Sequence, residues 1–210
     1  MKLRLWIATA LLAACAAAAA AQPRDIGRPG TVSHRAAGAH FPERIGELER
    51  QNVVQYDEAG TDISAMYELH RGDDHLRLSV YVYPSAVAAG ADAARANLCR
   101  TELDMVGQVI EHQPQYRGAR RIEDGAAPAV EGVDRALSLR TVHSFTSAFF
   151  GPEQELRSST DLYCYVDGRW QVKYRATFTP GFDATDAIEQ FIRSGPWPGR
   201  NPPPAPGEAI

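Results

Sequence analysis

Lysine is nearly missing from this chain: among 210 residues with 22 basic side chains, only Lys2 and Lys173 are lysine. Arginine carries the remaining positive charge, and acidic residues outnumber basic ones to leave a formal net charge of −4. That balance argues against nucleic acid as a partner, which requires a basic surface. Cysteine is scarce too, with Cys15, Cys99 and Cys164 alone. Three thiols so far apart rule out a disulfide-dense scaffold and any Cys-x-x-Cys redox or zinc motif. No nucleophile elbow, phosphate-cradling glycine loop or His-Glu-x-x-His occurs. No reaction class is therefore legible, no cofactor is expected, and a non-enzymatic protein is the leading reading. A hydrolase whose residues are scattered beyond the reach of motifs is the alternative.

Long apolar runs are absent as well. The N-terminal segment places Lys2 and Arg4 before a short apolar run and a string of alanines, the pattern of an export signal. It falls short of the roughly 20 strongly apolar residues that span a bilayer. Ala19 and Ala21 fit small-x-small cleavage, making residues 1–21 the signal and Gln22 the new N-terminus. Leu12, Ala13, Ala14 and Cys15 also resemble a lipobox, so lipidation of Cys15 is the alternative. Either places the folded part outside the cytoplasm, periplasmic or secreted in the first case and lipid-anchored to the envelope in the second. Membrane contact is then expected only through such an anchor. Residues 22–39 are rich in Gly, Pro and Arg without periodicity and read as a flexible linker. Residues 40–197 read as one domain and residues 198–210 as a proline-rich disordered tail.

Inside the domain, Ile63, Ala65, Tyr67 and Leu69 alternate with polar residues, as do Leu76, Leu78, Val80 and Val82, which is the period of half-buried strands. A turn at residues 71–74 sets Leu69 against Leu76, Tyr67 against Leu78, Ala65 against Val80, Ile63 against Val82 and Glu68 against Arg77. Each apolar residue meets an apolar one and the acid meets a base. The Arg-Gly-Asp tripeptide within it is turn chemistry rather than an adhesion signal. The same register sets His70 opposite His75, two imidazoles that with Asp73 or Asp74 could hold zinc or copper. The bland reading is a solvated turn.

Asp167-Gly168 suits a two-residue hairpin, pairing Tyr165 with Trp170, Tyr163 with Val172 and Asp161 with Tyr174. A strand at about 136–150 precedes it. One face then carries Tyr163, Tyr165, Trp170 and Tyr174, an aromatic surface suited to stacking a glycan or anchoring an envelope protein. A terminal helix over about 183–193, capped by Asp183, is the competing cover for it. The other face carries Leu137, Leu139, His143, Phe145, Leu162, Cys164 and Val166. A sheet apolar on both sides needs a layer on each, and a long helix over about 88–111 supplies the second, with Cys99, Leu103, Val106 and Ile110 on one stripe and Leu98, Met105 and Val109 beside it. Cys99 and Cys164 point into the same helix–sheet interface, so a disulfide is expected in an oxidising compartment. His143 reads as a core histidine hydrogen-bonded in place, and Arg117, Arg120 and Arg121 as a solvated loop.

This order of strands, long helix, three antiparallel strands and terminal helix, over about residues 41–197, resembles the PsbP-like α/β/α sandwich also seen in the DcrB family of bacterial envelope proteins. The resemblance implies an α+β fold with helices on opposite faces of an antiparallel sheet. It also implies an accessory or interaction module, and carries no catalytic residue with it. The expectation is thus an exported accessory or binding protein, with a metal-binding protein using His70 and His75 as an alternative.

Overall fold

The computed structural model describes residues 22–86 and 92–200. The signal segment with Cys15 and the residues beyond 200 lie outside the described residues. The elements run β1 (Arg24–Asp25), β2 (Val32–His34), β3 (Ala39–Phe41), β4 (Arg44–Ile45), β5 (Leu48–Gln55), β6 (Ile63–Arg71) and β7 (Asp74–Pro84). They continue with α1 (Asp92–His112), β8 (Arg117–Ala126), β9 (Ser138–Ser147), β10 (Gln154–Val166), β11 (Trp170–Phe178) and α2 (Thr185–Ser194). The fold is α+β. One antiparallel sheet has the order β1-β5-β6-β7-β11-β10-β9-β8 with β4 beside β5, while β2 and β3 pair separately.

The first hairpin forms in the expected register, with His70 opposite His75, Leu69 opposite Leu76 and Glu68 opposite Arg77. Gly72 at its tip takes φ 63°, a left-handed conformation that glycine adopts without strain. In the second hairpin Tyr163 meets Val172 and Asp161 meets Tyr174 as expected, but near the turn Val166 pairs with Trp170. The loop therefore holds three residues rather than two, and a bulge in β10 absorbs the extra one. Tyr165, at φ 56°, is the residue displaced. A bulge moves every side chain between it and the turn to the other face. Tyr165 thus packs with Cys99, Leu162 and Cys164, whereas Val166 joins the core containing Tyr163 and Trp170.

Alternation along β10 divides the interior into two cores. On one face Ile188, Phe191 and Ile192 of α2 pack with Tyr67, Tyr163, Val172 and Tyr174. On the other, Cys99 and Leu103 of α1 meet Leu162 and Cys164, and farther along Ile110 meets Phe145 and Leu156. The second core is narrower than its helix promised: Leu98, Met105 and Val109 are 39%, 54% and 50% exposed. Among the described residues no helix is long and apolar enough to cross a membrane.

Two boundaries and one helix cap differ from the sequence reading, while Trp197 lies inside the fold as the expected domain limit at 197 has it. Residues 22–39 are not a linker: β1 pairs with β5, and Val32, His34, Ala37 and Ala39 are buried. The His34 Nδ1 accepts the Ala37 N–H at 3.2 Å, which leaves its Nε2 to donate to the Thr61 carbonyl at 3.1 Å. Residues 117–126 form β8, an edge strand on β9 rather than a loop. At the C-terminal end the fold runs past the last helix. Trp197 is buried against Tyr163, with ring centroids 4.9 Å apart, and its Nε1–H donates to the Ile192 carbonyl at 2.7 Å. The α2 N-cap is Ala184, and Asp183 Oδ1 accepts the Thr185 N–H at 3.2 Å.

Cys99 and Cys164 are joined, with Cα atoms 5.9 Å apart, and link α1 to β10 across 65 residues of sequence. Closing a loop of that length restricts the unfolded chain by about 4 kcal/mol. The Cys99→Ser, Cys164→Ser variant is expected to lose stability on that order, read from the urea midpoint. Reduction of the wild type should add two hydrogen atoms to its intact mass, and native alkylation of either thiol without reductant would contradict the bond. Trp197→Ala should cost about 3–5 kcal/mol, as large buried aromatics do. A loss within the ordinary surface range of about 0.5 kcal/mol would mean that residues after α2 are not part of the fold.

Candidate functional site

β7 is apolar toward the α2 core at Leu76, Leu78, Val80 and Val82, so its alternate residues Tyr81 and Tyr83 project from the face that α1 shares. Antiparallel pairing sets Lys173 of β11 directly beside Tyr81, Gln171 beside Tyr83 and Arg175 beside Ser79. α1 lies over β8, β9 and β10. It therefore runs alongside this strip without covering it, and between the two lies a groove of about 550 Å³. Tyr81, Tyr83, Lys173 and Arg175 form its floor, and Glu102, Met105, Val106 and Val109 form its helical wall. Spacings of three and four residues put that wall on one helix stripe.

The polar groups of the groove divide into those already engaged and those free. Glu102 accepts from the Tyr83 hydroxyl and from Gln171 Nε2, so its carboxylate is satisfied within the fold. Burial and the neighbouring Glu102 carboxylate push the Tyr83 phenol well above its ordinary range. Lys173 Nζ lies 4.8 Å from the Tyr81 ring centroid and 5.2 Å from that of Tyr83. Burial lowers the pKa of its ammonium, with Glu102 and Asp62 opposing that shift from a distance. Arg175 rests 5.2 Å from the Tyr116 ring centroid, with a long contact of 3.5 Å from Nε to Ser158 Oγ. Neither cation has a salt bridge among the described residues.

The aromatic surface expected at Tyr163, Tyr165, Trp170 and Tyr174 is not a platform. Tyr163, Trp170 and Tyr174 are 0%, 4% and 1% exposed beneath α2, Trp197 and the β2–β3 hairpin. The bulge has moved Tyr165 to the opposite side, where Arg95 lies 5.4 Å from its ring centroid. Tyr81 and Tyr83 are half-open, at positions that alternation marks as outward. The signal available for them was the pair of tyrosines two residues apart on a strand.

His70 and His75 do come together, with Nδ1 atoms 2.7 Å apart, one ring donating to the other. His70 Nε2 lies 3.4 Å from Glu68 Oε2, and His75 stacks on Phe150. Among the described residues no group of three or more His, Cys, Asp or Glu is arranged for a metal. The arginine cluster is dispersed along β8: Arg117 pairs with Glu153, while Arg121 turns inward to Asp104 at 3.1 Å. His143 is fully buried, but neither ring nitrogen has a hydrogen bond, and Nε2 stands 3.4 Å from Glu111 Oε1. No family model matches the chain, nor does any curated protein or solved structure.

Burial lowers the pKa of His143, with the Glu111 carboxylate opposing it. The unfolded chain, titrating near pH 6.5, then binds the proton before the folded chain does. Stability is full above that pH and falls as the solution is acidified toward the folded value. His143→Gln should flatten the decline in urea midpoint between pH 7 and pH 5 relative to wild type. An unchanged slope would show that the imidazole takes no part.

Proposed function

We propose that this is an exported accessory protein of the bacterial cell envelope that binds a ligand in the groove between α1 and the β7–β11 strip, without chemistry of its own. The observation that carries this reading is the groove itself. It has the volume of a small-molecule site, an apolar wall, and two cations on its floor with no ion-pair partner among the described residues. Export is supported by the basic-then-apolar N-terminus and by a disulfide that suits an oxidising compartment. The domain is periplasmic or secreted, with an anchor at Cys15 as the lipidated variant. Helices on opposite faces of an antiparallel sheet support the PsbP-like, DcrB-like resemblance, and with it a binding rather than catalytic role. An envelope protein or glycan remains the partner class for the tethered form.

Val106→Trp, which fills the groove from its wall, tests the reading. A fragment library followed by amide NMR should perturb Tyr81, Tyr83, Lys173 and Met105 together in the wild type, and Val106→Trp should abolish those shifts while keeping the folded spectrum. Ligand shifts that cluster elsewhere, or saturable turnover of an envelope substrate lost on a single substitution, would overturn it.

A further inference from the structure

Resting on the groove as the ligand site, we propose that its ligand is a small amphipathic anion, with a carboxylate held at Lys173 and Arg175 and a flat apolar body lying along Tyr81, Tyr83 and the Met105–Val109 wall. Three observations lead there. The first is the residue chosen: in a chain with arginine at all but two of its basic positions, the lysine of the described residues stands on the groove floor. A lysine presents a compact ammonium with three rotatable donors, where arginine presents a planar fork. Here the ammonium sits between two tyrosine rings. Ring faces attract the cation but supply no lone pair to its N–H groups.

The second observation is the charge around it. Glu102 is the carboxylate of the groove lining, and Tyr83 and Gln171 already donate to it. Glu102 and, more weakly, Asp62 act on Lys173 through their charge without a salt bridge to it, and Arg175 has its polar contact with a serine hydroxyl. Two cations two residues apart on one strand point to the same face, about 7 Å apart along the chain. A half-buried pair of cations without a bound anion is costly, and a carboxylate placed between them recovers charge-assisted hydrogen bonds. The third is the wall. Met105 and Val109 are about half exposed while flanking this charge, and methionine adapts its shape to apolar ligands. Charge on the floor and apolar surface at the side call for a ligand with both characters in one molecule. A cavity of about 550 Å³ suits one fused ring system or a short chain rather than a bilayer surface.

Three probes with one apolar body separate the contributions: 2-naphthoate, 2-naphthylmethanol and 2-naphthylmethylammonium, titrated by calorimetry into the intact disulfide-bonded protein. Naphthoate should bind at least ~10-fold more tightly than the alcohol, as a charge-assisted contact requires, and the ammonium compound least. Lys173→Met and Arg175→Gln, each confirmed folded by its amide spectrum, should remove the advantage of naphthoate over the alcohol. Added salt should narrow the gap. Equal binding of naphthoate and alcohol in the groove overturns the anion assignment and leaves the groove as a ligand site. Failure of all three probes to bind overturns both readings. Naphthoate binding that neither substitution alters places the anion elsewhere and overturns the assignment, as does binding of phosphatidylglycerol vesicles, but not of naphthoate, through Lys173.

Discussion

Strands lie about 4.8 Å apart, so a path of eight strands is roughly 35 Å wide, whereas a helix with its side chains is about 10–12 Å across. One helix therefore covers two or three strands. On the face where α1 lies, those are β8, β9 and β10; among the described residues no helix covers β11 and the strands beyond it, and only side chains such as Tyr116, Phe149 and Phe150 reach across to Arg175 and Arg77. The residues there follow from that deficit. Where α1 covers, the sheet offers Leu162, Cys164, Phe145 and Leu156. Where it does not, the sheet offers Tyr81, Tyr83, Lys173 and Arg175, amphipathic side chains that tolerate partial burial. The groove is the seam between these two regimes.

The opposite face solves the same width problem with more pieces. α2 has only ten residues, yet the core beneath it stretches from Val53 on β5 to Tyr163 on β10. Val32 and Phe41 from the β2–β3 hairpin extend the cover at one side, Phe182 precedes the helix, and Trp197 follows it. Residues 32–41 and 182–199 are thus parts of one lid, joined where the Gly199 N–H donates to the Ala37 carbonyl at 3.0 Å. This is why segments that look like tethers are ordered: they lack periodicity because they contribute two or three buried side chains each, not a continuous face.

Legibility tracked how local the determining interaction was. The β6–β7 register could be read because a short turn and strict alternation fix it together, and Glu68 with Arg77 agreed. Cys99 and Cys164 could be paired because each belongs to a stripe facing one interface. The bulge at Tyr165 was hidden, since Asp167-Gly168 is equally compatible with a two-residue turn and with the three-residue loop found. β8 was hidden because an edge strand with its outer face in water, reading Arg-Gly-Ala-Arg-Arg-Ile-Glu-Asp-Gly-Ala, needs no apolar alternation. The groove was the least legible feature. Tyrosines on a strand can be located from sequence, but whether Tyr174 or Tyr81 ends up covered depends on where two helices land. Helix placement is decided by the whole sheet.

The disulfide connects these threads, because it sits on the helix that forms the groove wall. Cys99 is fixed to β10, and Glu102, three residues farther along α1, reaches across to Tyr83 on β7 and Gln171 on β11. Farther still, Ile110 is buried with Phe145 and Leu156. These attachments hold α1 at three points along its length, on both sides of Met105 and Val106. Pinned at these points, α1 leaves Met105 and Val109 about half exposed on the groove wall. The cost of ordering that wall is met when the chain folds, which leaves the groove preformed.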